Sequence, residues 1–215
     1  MHWDIVTKNL WYLLWGTKST LQIAGGVLIM GTILGFFLGL LRLSNNPLIG
    51  YPTRGVMEVT RGTPLIMQMF FIFFGLPALG LELPKYPAAV LAMTLFAGGN
   101  AAEIVRGAIQ SLPKGQTEAA KSLGMNYSQT MTFVILPQAV RRMIPPMMGL
   151  FTTLIKDTSL AAIIGVFELT RATQETIERT FASFELYLTA AFIYFVICYP
   201  LSLLTQQAEK SLHAA

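Results

Sequence analysis

The chain has 215 residues, of which 53% are hydrophobic and only 12% are charged, and its mean hydropathy is +0.57. Soluble domains carry about twice that share of charged residues, so a separate soluble domain is excluded and residues 1–215 are predicted to form one membrane domain. The net charge of +4 does not indicate nucleic-acid binding, because the basic residues lie singly or in pairs beside apolar runs.

The N-terminal part of the chain contains an aromatic segment and then the first apolar span. Residues 3–15 include three tryptophans, which favours either an interfacial helix or simply the start of the first span. A span over about 20–41 follows, since a bilayer core needs about 20 mostly apolar residues. Within it, Gly31, Gly35 and Gly39 recur at every fourth position and predict a face for close helix packing.

A turn over 42–47 precedes the second and third spans. The second span is predicted over about 63–76, with Thr63 as its N-cap and Pro64 in its first turn. A short loop leads from there into a third span over about 88–105.

A polar segment rich in small residues, about 107–136, follows the third span. Thr117 is predicted to be the N-cap of a short helix, with Glu118 in its first turn, where the helix dipole favours a carboxylate. Gly124 is placed to end this helix in a left-handed turn. We call the segment 107–136 the elbow.

The first helix of the elbow is predicted to present a surface to another protein. Ala119 and Ala120 carry almost no side chain, so a partner can approach the backbone closely, while Glu118 and Lys121 remain for polar contacts. An ordinary solvated loop is the alternative for small residues alone. The position of the segment between two membrane spans favours the docking surface.

A second helix of the elbow is predicted to begin at Asn126. Gln129 follows three residues later, which is the spacing of a capping box. Pro137 is expected to interrupt this helix where the hydrophobic chain resumes.

Two more spans complete the chain. The fourth is predicted over about 138–158 with a bend at Pro145 and Pro146, and the fifth over about 186–204. Between them, residues 161–167 are apolar but too few to cross, so this stretch either dips into the bilayer or covers a cavity.

Five crossings place the two termini on opposite sides of the membrane, and lysine and arginine are divided unevenly between those sides. One side carries Arg42, Arg54, Arg61, Arg106, Lys114, Lys121, Arg141, Arg142 and Lys210, and the other carries Lys8, Lys18, Lys85, Arg171 and Arg179. The positive-inside rule makes the first side cytoplasmic. The elbow and the C-terminus are therefore predicted in the cytoplasm and the N-terminus outside.

Ionisable residues inside spans are costly and usually mark a function. Glu103 lies three residues before Arg106, so it forms either a structural ion pair or part of a cavity wall. Asn100 lies on the same helix face, after Gly98 and Gly99, which make room beside it. Asn100 and Glu103 are candidate residues of a solute path.

A second polar cluster closes the fourth span with Lys156, Asp157, Thr158 and Ser159. Adjacent positions on a helix point about 100° apart, so the two charges cannot satisfy each other well, and at least one should face a wet cavity or another helix. Such a cluster suits the ammonium and carboxylate of an amino acid. The alternative is that it closes an interfacial bend.

Several other kinds of site are not indicated by the sequence. Cys198 is the single cysteine, so a disulfide framework is excluded, and His2 and His213 are too far apart in the chain for a His-based metal or catalytic cluster. Residues 16–20 resemble a phosphate loop, but the upstream glycine spacing is wrong. We therefore expect no enzyme activity, no metal and no bound cofactor in this chain.

The elbow resembles the cytoplasmic "EAA" loop of the membrane subunits of ATP-binding-cassette importers. It is similar through Glu118-Ala119-Ala120, Gly124 and Val134-Ile135-Leu136-Pro137. Further segments, in order, resemble the polar amino-acid branch of these importers: Glu58-Val-Thr-Arg-Gly-Thr-Pro64, Glu103-Ile-Val-Arg-Gly-Ala-Ile109, Leu136-Pro-Gln-Ala139, Lys156-Asp-Thr-Ser-Leu160 and Glu168-Leu-Thr-Arg171. Asn100 stands where the branch commonly has an aromatic residue.

The resemblance implies an all-α permease of type I importer architecture, with five transmembrane helices in the bacterial inner membrane. It implies that a separate ATPase, which binds ATP and magnesium, docks on the elbow at Glu118, Ala119, Ala120, Lys121, Leu123 and Gly124. It further implies an extracytoplasmic binding protein that delivers a polar amino acid, and a second permease subunit, identical or a sister, beside this one in the lipid.

Two other classes remain possible from the residues themselves. A self-sufficient secondary carrier or channel would use the intramembrane charges for ion coupling and would need no ATPase. A structural or signalling membrane protein would carry no solute at all.

Overall fold

The computed structural model describes residues 3–44 and 46–213. The chain folds into helices, which confirms the predicted all-α class. The α-helices are α1 (Trp3–Arg42), α2 (Pro47–Gly62), α3 (Leu65–Phe70), α4 (Lys85–Gln110), α5 (Lys114–Ser122), α6 (Tyr127–Gln129), α7 (Leu136–Asp157), α8 (Leu169–Thr180) and α9 (Ser183–His213). π-helical turns cover Phe71–Gly75 and Thr130–Ile135, and 3₁₀ turns cover Leu76–Leu79 and Thr158–Ile164.

The first helix is a single rod of 40 residues, Trp3–Arg42. At 1.5 Å per residue it is about 60 Å long, roughly twice the thickness of a bilayer core. Of the two interpretations of residues 3–15, the structure has the simpler one: the tryptophans lie on the first turns of the same helix that holds the span expected over 20–41.

The three spaced glycines of α1 lie against α4. A Cβ built on Gly35 would come within 2.4 Å of the Ala101 Cβ atom, which shows how closely the two backbones approach. The facing pairs are Gly31 with Ala97, Gly35 with Ala101, and Gly39 with Val105. The close-packing face predicted from the glycine spacing is confirmed. Because the residue numbers rise together, α1 and α4 run parallel, and the chain between them must return across the bundle.

That return is made by a broken segment rather than by a simple span. The segment Pro47–Gly62 meets Leu65–Leu79 at 105°. Thr63 was expected to be the N-cap of the second span, but it lies at the C-cap of α2, where its hydroxyl donates to the Val59 carbonyl at 2.7 Å. Pro64 directly precedes α3. Proline disfavours helical geometry in the residue before it, which ends α2, and its φ fixed near −60° suits the start of the next helix.

The elbow continues into the fourth span without an interruption at Pro137. The helical segment from Tyr127 to Ile164 is 38 residues long and also contains Pro145 and Pro146. The expected break is wrong because Pro137 lies in the first turn of α7, directly after the π-helical turn Thr130–Ile135. A π turn already departs from the regular hydrogen-bond ladder, so the missing N–H of the proline is tolerated there.

The remaining contacts fix the direction of each long helix. The Arg142 guanidinium donates to the Ser111 carbonyl at 2.7 Å, so α7 begins beside the end of α4 and runs antiparallel to it. Cys198 of α9 packs with Ala24 of α1, and Tyr194 lies near Thr20, so α9 runs parallel to α1. We call the end where α1 and α4 finish the elbow face, and the opposite end the α8 face.

Four helices of the described residues are long and apolar enough to cross a membrane, and the broken segment makes up to five. The helix directions require that segment to return from the elbow face to the α8 face. Most helices are longer than the spans predicted from the apolar runs. At most ends the helix continues for one or more turns beyond the apolar residues.

Candidate functional site

The first helix of the elbow, α5, begins earlier than the sequence indicated. It starts at Lys114 behind Pro113, so the predicted N-cap Thr117 lies inside the helix, and that prediction is wrong. Pro113 starts the helix because its backbone angle is preset and it needs no hydrogen-bond partner. Gly124 ends it with φ of 80°, as predicted, and the Met125 N–H donates back to the Ala120 carbonyl at 3.1 Å.

The second helix of the elbow is held by the predicted capping box. The Gln129 N–H donates to the Asn126 side chain and the Asn126 N–H donates to the Gln129 side chain, each at 2.9 Å. The C-terminus of α5 and the N-terminus of α6 therefore find hydrogen-bond partners within the elbow itself, so the turn between the two helices has a defined shape without a partner protein.

Exposure divides the predicted docking residues into two groups. Glu118, Ala119 and Lys121 are exposed, and Leu123 projects with 82% of its surface accessible. Ala120 is only 3% exposed, and α5 packs against the π turn Thr130–Ile135. The expectation that both alanines face a partner is therefore wrong for Ala120, whose small side chain instead lets α5 lie close to its own chain.

Glu103 is the centre of an ion-pair network near the elbow face. The Arg106 Nε donates to the Glu103 carboxylate at 2.9 Å, and a guanidinium nitrogen of Arg61, from α2, lies 3.3 Å from it. Asn100 is not part of this network, since its amide donates to the Phe96 carbonyl of its own helix at 2.8 Å. Both interpretations of Glu103 hold, because the network also lines a cavity of 290 Å³.

The cluster at the end of α7 separates its four side chains. Lys156 is exposed, Asp157 and Ser159 are half-buried, and Thr158 is fully buried with its hydroxyl bonded to the Ile155 carbonyl at 2.8 Å. No ion pair joins Lys156 to Asp157 in the described residues. The cluster lies at the α8 face, whereas Glu103 lies toward the elbow face, so one chain does not bring the two predicted parts of the solute path together.

Glu168, which the sequence analysis named only within the segment Glu168–Arg171 and not as a site residue, joins three helices at the α8 face. Glu168 has no exposed surface and caps α8, because its carboxylate accepts the Arg171 N–H at 2.7 Å. It also accepts the Tyr194 hydroxyl of α9 at 2.9 Å and the Thr20 hydroxyl of α1 at 3.4 Å. The available signal was its capping position three residues before Arg171.

Burial raises the pKa of the Glu168 carboxyl above its ordinary value of 4.5, and hydrogen bonds from the chain oppose that rise. We expect Glu168→Ala to lower stability by about 2 to 4 kcal/mol, since it removes a helix cap and leaves buried hydroxyls unpaired. Glu168→Gln should keep much of the stability. The melting temperature of the purified protein in detergent measures both effects.

The dependence of stability on pH distinguishes the contribution of the Glu168 charge from that of its hydrogen bonds and packing. With the folded-state pKa raised, the contribution of this carboxyl to stability is complete below about pH 4.5 and declines as the pH rises through the folded-state value. Glu168→Gln cannot ionise and should lose that decline. Glu178→Gln, on the exposed surface of the same helix, is the matched control and should keep the wild-type profile. An unchanged profile in the Glu168→Gln variant would contradict the assignment.

Comparison with known proteins places these features in a family. The sequence model of one family, described as the inner membrane component of binding-protein-dependent transport systems, matches residues 31–213. The chain belongs to this family. The match includes the elbow, both polar clusters and four of the five crossing segments in full.

Curated relatives cover nearly the full length of this inner-membrane component. It is 41% identical to the L-cystine transport system permease protein TcyB of Bacillus subtilis, over 98% of this chain and 91% of the relative. It is 37% identical to the glutamine transport system permease protein GlnP of Escherichia coli, over 97% of this chain and 96% of the relative. The predicted membership of an importer family is thereby confirmed.

Solved structures share the same fold. The chain superposes on a subunit of an amino acid ABC transporter crystallised with histidines with a TM-score of 0.93 and 32% identity, covering 98% of this chain and 99% of that one. For the MetNI methionine ABC transporter the TM-score is 0.80 at 18% identity, which shows the fold alone. This inner-membrane component is a multi-pass permease subunit of an ABC importer, with the all-α architecture that the sequence predicted.

Proposed function

We propose that the chain is the membrane subunit of an ATP-driven importer that moves a polar amino acid delivered by an extracytoplasmic binding protein. The observation that carries the proposal is the elbow, which is capped at both sides of its turn, exposes Glu118, Ala119 and Leu123, and continues into α7. The relatives named for cystine and glutamine transport support an amino acid as the solute.

Energy enters from outside the chain in this proposal. ATP and magnesium belong to a separate ATPase that docks on α5 through Glu118, Ala119, Lys121 and Leu123, while Ala120 and Gly124 fix the shape of the docking surface. The uneven division of lysine and arginine supports an elbow and C-terminus in the cytoplasm and an N-terminus outside.

The solute path in this proposal needs a second permease subunit. Glu103 and the Lys156–Ser159 cluster lie toward opposite faces, as residues at the two ends of a path across the membrane would. Membership of the family supports a second subunit, an identical copy or a sister, that encloses this path with it. Asn100 lies one turn from Glu103, and the half-buried Asp157 offers a carboxylate to the ammonium of an amino acid.

Reconstitution tests the proposal against the carrier alternative. The chain is placed in liposomes with its ATPase, the binding protein and enclosed ATP, and uptake of radiolabelled amino acids is measured. We expect uptake only when ATP, ATPase and binding protein are all present. Uptake by the purified chain alone under an ion gradient would overturn the proposal in favour of a secondary carrier, and an absence of flux in the complete system would also count against it.

A further inference from the structure

Three adjoining cavities form a continuous surface at the elbow face, where α1, α2 and the second helix of the elbow meet. The first, of 490 Å³, is mostly apolar and is lined chiefly by Leu40, Leu41, Leu43, Met131 and Leu136. We call it the apolar groove. Ser44 lines both the groove and a second cavity of 240 Å³, so the two are neighbours.

The second cavity contains two arginines and leads into the third. Its lining includes Arg42 and Arg54 with the polar groups of Ser44, Asn46 and Tyr51. The same two arginines also line the third cavity, of 290 Å³. We call the second and third cavities the basic cavities, and Arg42 and Arg54 form the boundary that they share.

The basic cavities carry more positive charge than their own carboxylates balance. Four guanidinium groups and two carboxylates line the third cavity and leave it a formal charge of +2; they belong to Arg42, Arg54, Arg61, Arg106, Glu58 and Glu103. Arg54 pairs with Glu58 at 2.6 Å, and both Arg61 and Arg106 pair with Glu103. Arg42 joins no ion pair in the part of the chain that the structure describes, so its guanidinium has no bound carboxylate to give up when it binds an anion.

We propose that this surface binds an anionic phospholipid, with its phosphate between Arg42 and Arg54 and an acyl chain in the apolar groove. Guanidinium groups bind phosphate oxygens through paired, charge-assisted hydrogen bonds, and basic pockets between transmembrane helices suit anionic headgroups. The groove decides between two sources of the same phosphate chemistry, because a free phosphate ion gains nothing from the leucines whereas a lipid buries apolar surface there.

The bound lipid would connect the spans to the elbow. Arg42 lies at the end of α1 and Arg54 on α2, while Tyr127 of the groove begins the second helix of the elbow and Met131 lies in the π turn that follows it. The third cavity also contains Glu103 of the candidate solute path. The phosphate is placed between Arg42 and Arg54, to which the proposed function gives no role, and lipid binding is measured without solute or ATPase, so failure of this site and failure of the proposed function are distinguishable.

Lipid selectivity of the full chain tests the proposal. The chain and its variants are reconstituted in phosphatidylcholine bilayers, and electron paramagnetic resonance measures the immobilised fraction of spin-labelled phosphatidylglycerol or phosphatidylcholine. We expect wild type to prefer phosphatidylglycerol and the double variant Arg42→Gln/Arg54→Gln to lose that preference about thirtyfold, since two surface arginines contribute about 1 kcal/mol each. Arg42→Lys, which keeps the charge, should retain part of it.

A matched control and two outcomes complete the experiment. Arg141→Gln removes one exposed charge at the elbow face outside the three cavities and should keep the preference of wild type. Equal preference in wild type and in the folded double variant would overturn the site. Binding of inorganic phosphate to the wild-type chain as tightly as phosphatidylglycerol would overturn the lipid assignment, because it would show that the apolar groove contributes nothing to the affinity.

Discussion

Replacing Ala119 by tryptophan should abolish solute-stimulated ATP hydrolysis while the subunit remains folded in the membrane. Ala119 is exposed on α5 between Glu118 and the projecting Leu123, so an indole there would hold a docked ATPase away from the helix. A contact surface that depends on close backbone approach tolerates such a side chain poorly. We expect at least about a tenfold loss, measured as ATP turnover of the complete importer in liposomes with binding protein and solute.

Two further substitutions are controls for the Ala119→Trp experiment. Ala78→Trp places the same side chain on an exposed position in the last turn of the broken segment, near the α8 face, and should leave ATP turnover unchanged. Ala120→Trp should lower the yield of folded protein, because Ala120 is buried against its own chain. ATP turnover of the Ala119→Trp importer equal to that of wild type would argue decisively against docking at this helix.

Replacing Gly35 by alanine should destabilise the subunit by about 1 to 3 kcal/mol, the range for inserting a methyl group into a well-packed contact. The added Cβ would lie 2.4 Å from the Ala101 Cβ atom and 2.8 Å from the Ala102 backbone nitrogen, so α1 and α4 would have to move apart. In lipid the association of these helices depends on such close packing. The melting temperature in detergent measures the loss.

The same helix supplies the control for Gly35. Gly26 also lies on α1, but a Cβ built there meets no atom within 4 Å, so Gly26→Ala should be neutral or slightly stabilising through its better helix propensity. Equal melting temperatures for the two alanine variants would contradict the tight parallel contact between α1 and α4.

Local sequence rules predicted the features that neighbouring residues determine. The glycine spacing of α1, the left-handed Gly124 and the capping box of Asn126 and Gln129 all follow from a few adjacent positions, and the structure has each of them. The apolar runs likewise located the long helices, because hydrophobic length is a property of the local sequence.

The sequence analysis missed the features that depend on distant contacts. The helix α2 is amphipathic rather than apolar, so a search for spans did not show it or the 105° break that follows. The burial of Ala120 comes from the packing of α5 on the π turn Thr130–Ile135, and that of Glu168 from Thr20 of α1 and Tyr194 of α9. The local sequence around each residue does not show that it is buried. The helix break predicted at Pro137 was wrong because the effect of this proline depends on the π turn before it.

Because the elbow continues into α7 as one helical segment, a movement at the elbow would be transmitted along that segment. The 38-residue helical segment from Tyr127 to Ile164 is about 57 Å long, so a tilt of about 5° about its centre moves each end by about 2.5 Å. A small displacement pressed onto Tyr127 at one membrane surface would thus reach Asp157 and Thr158 at the other without any relay of side chains. The π turn Thr130–Ile135 is the one π-helical stretch of that segment in the described structure. A bend at this turn would reduce the displacement that reaches the far end of the helix, and a rigid turn would transmit it.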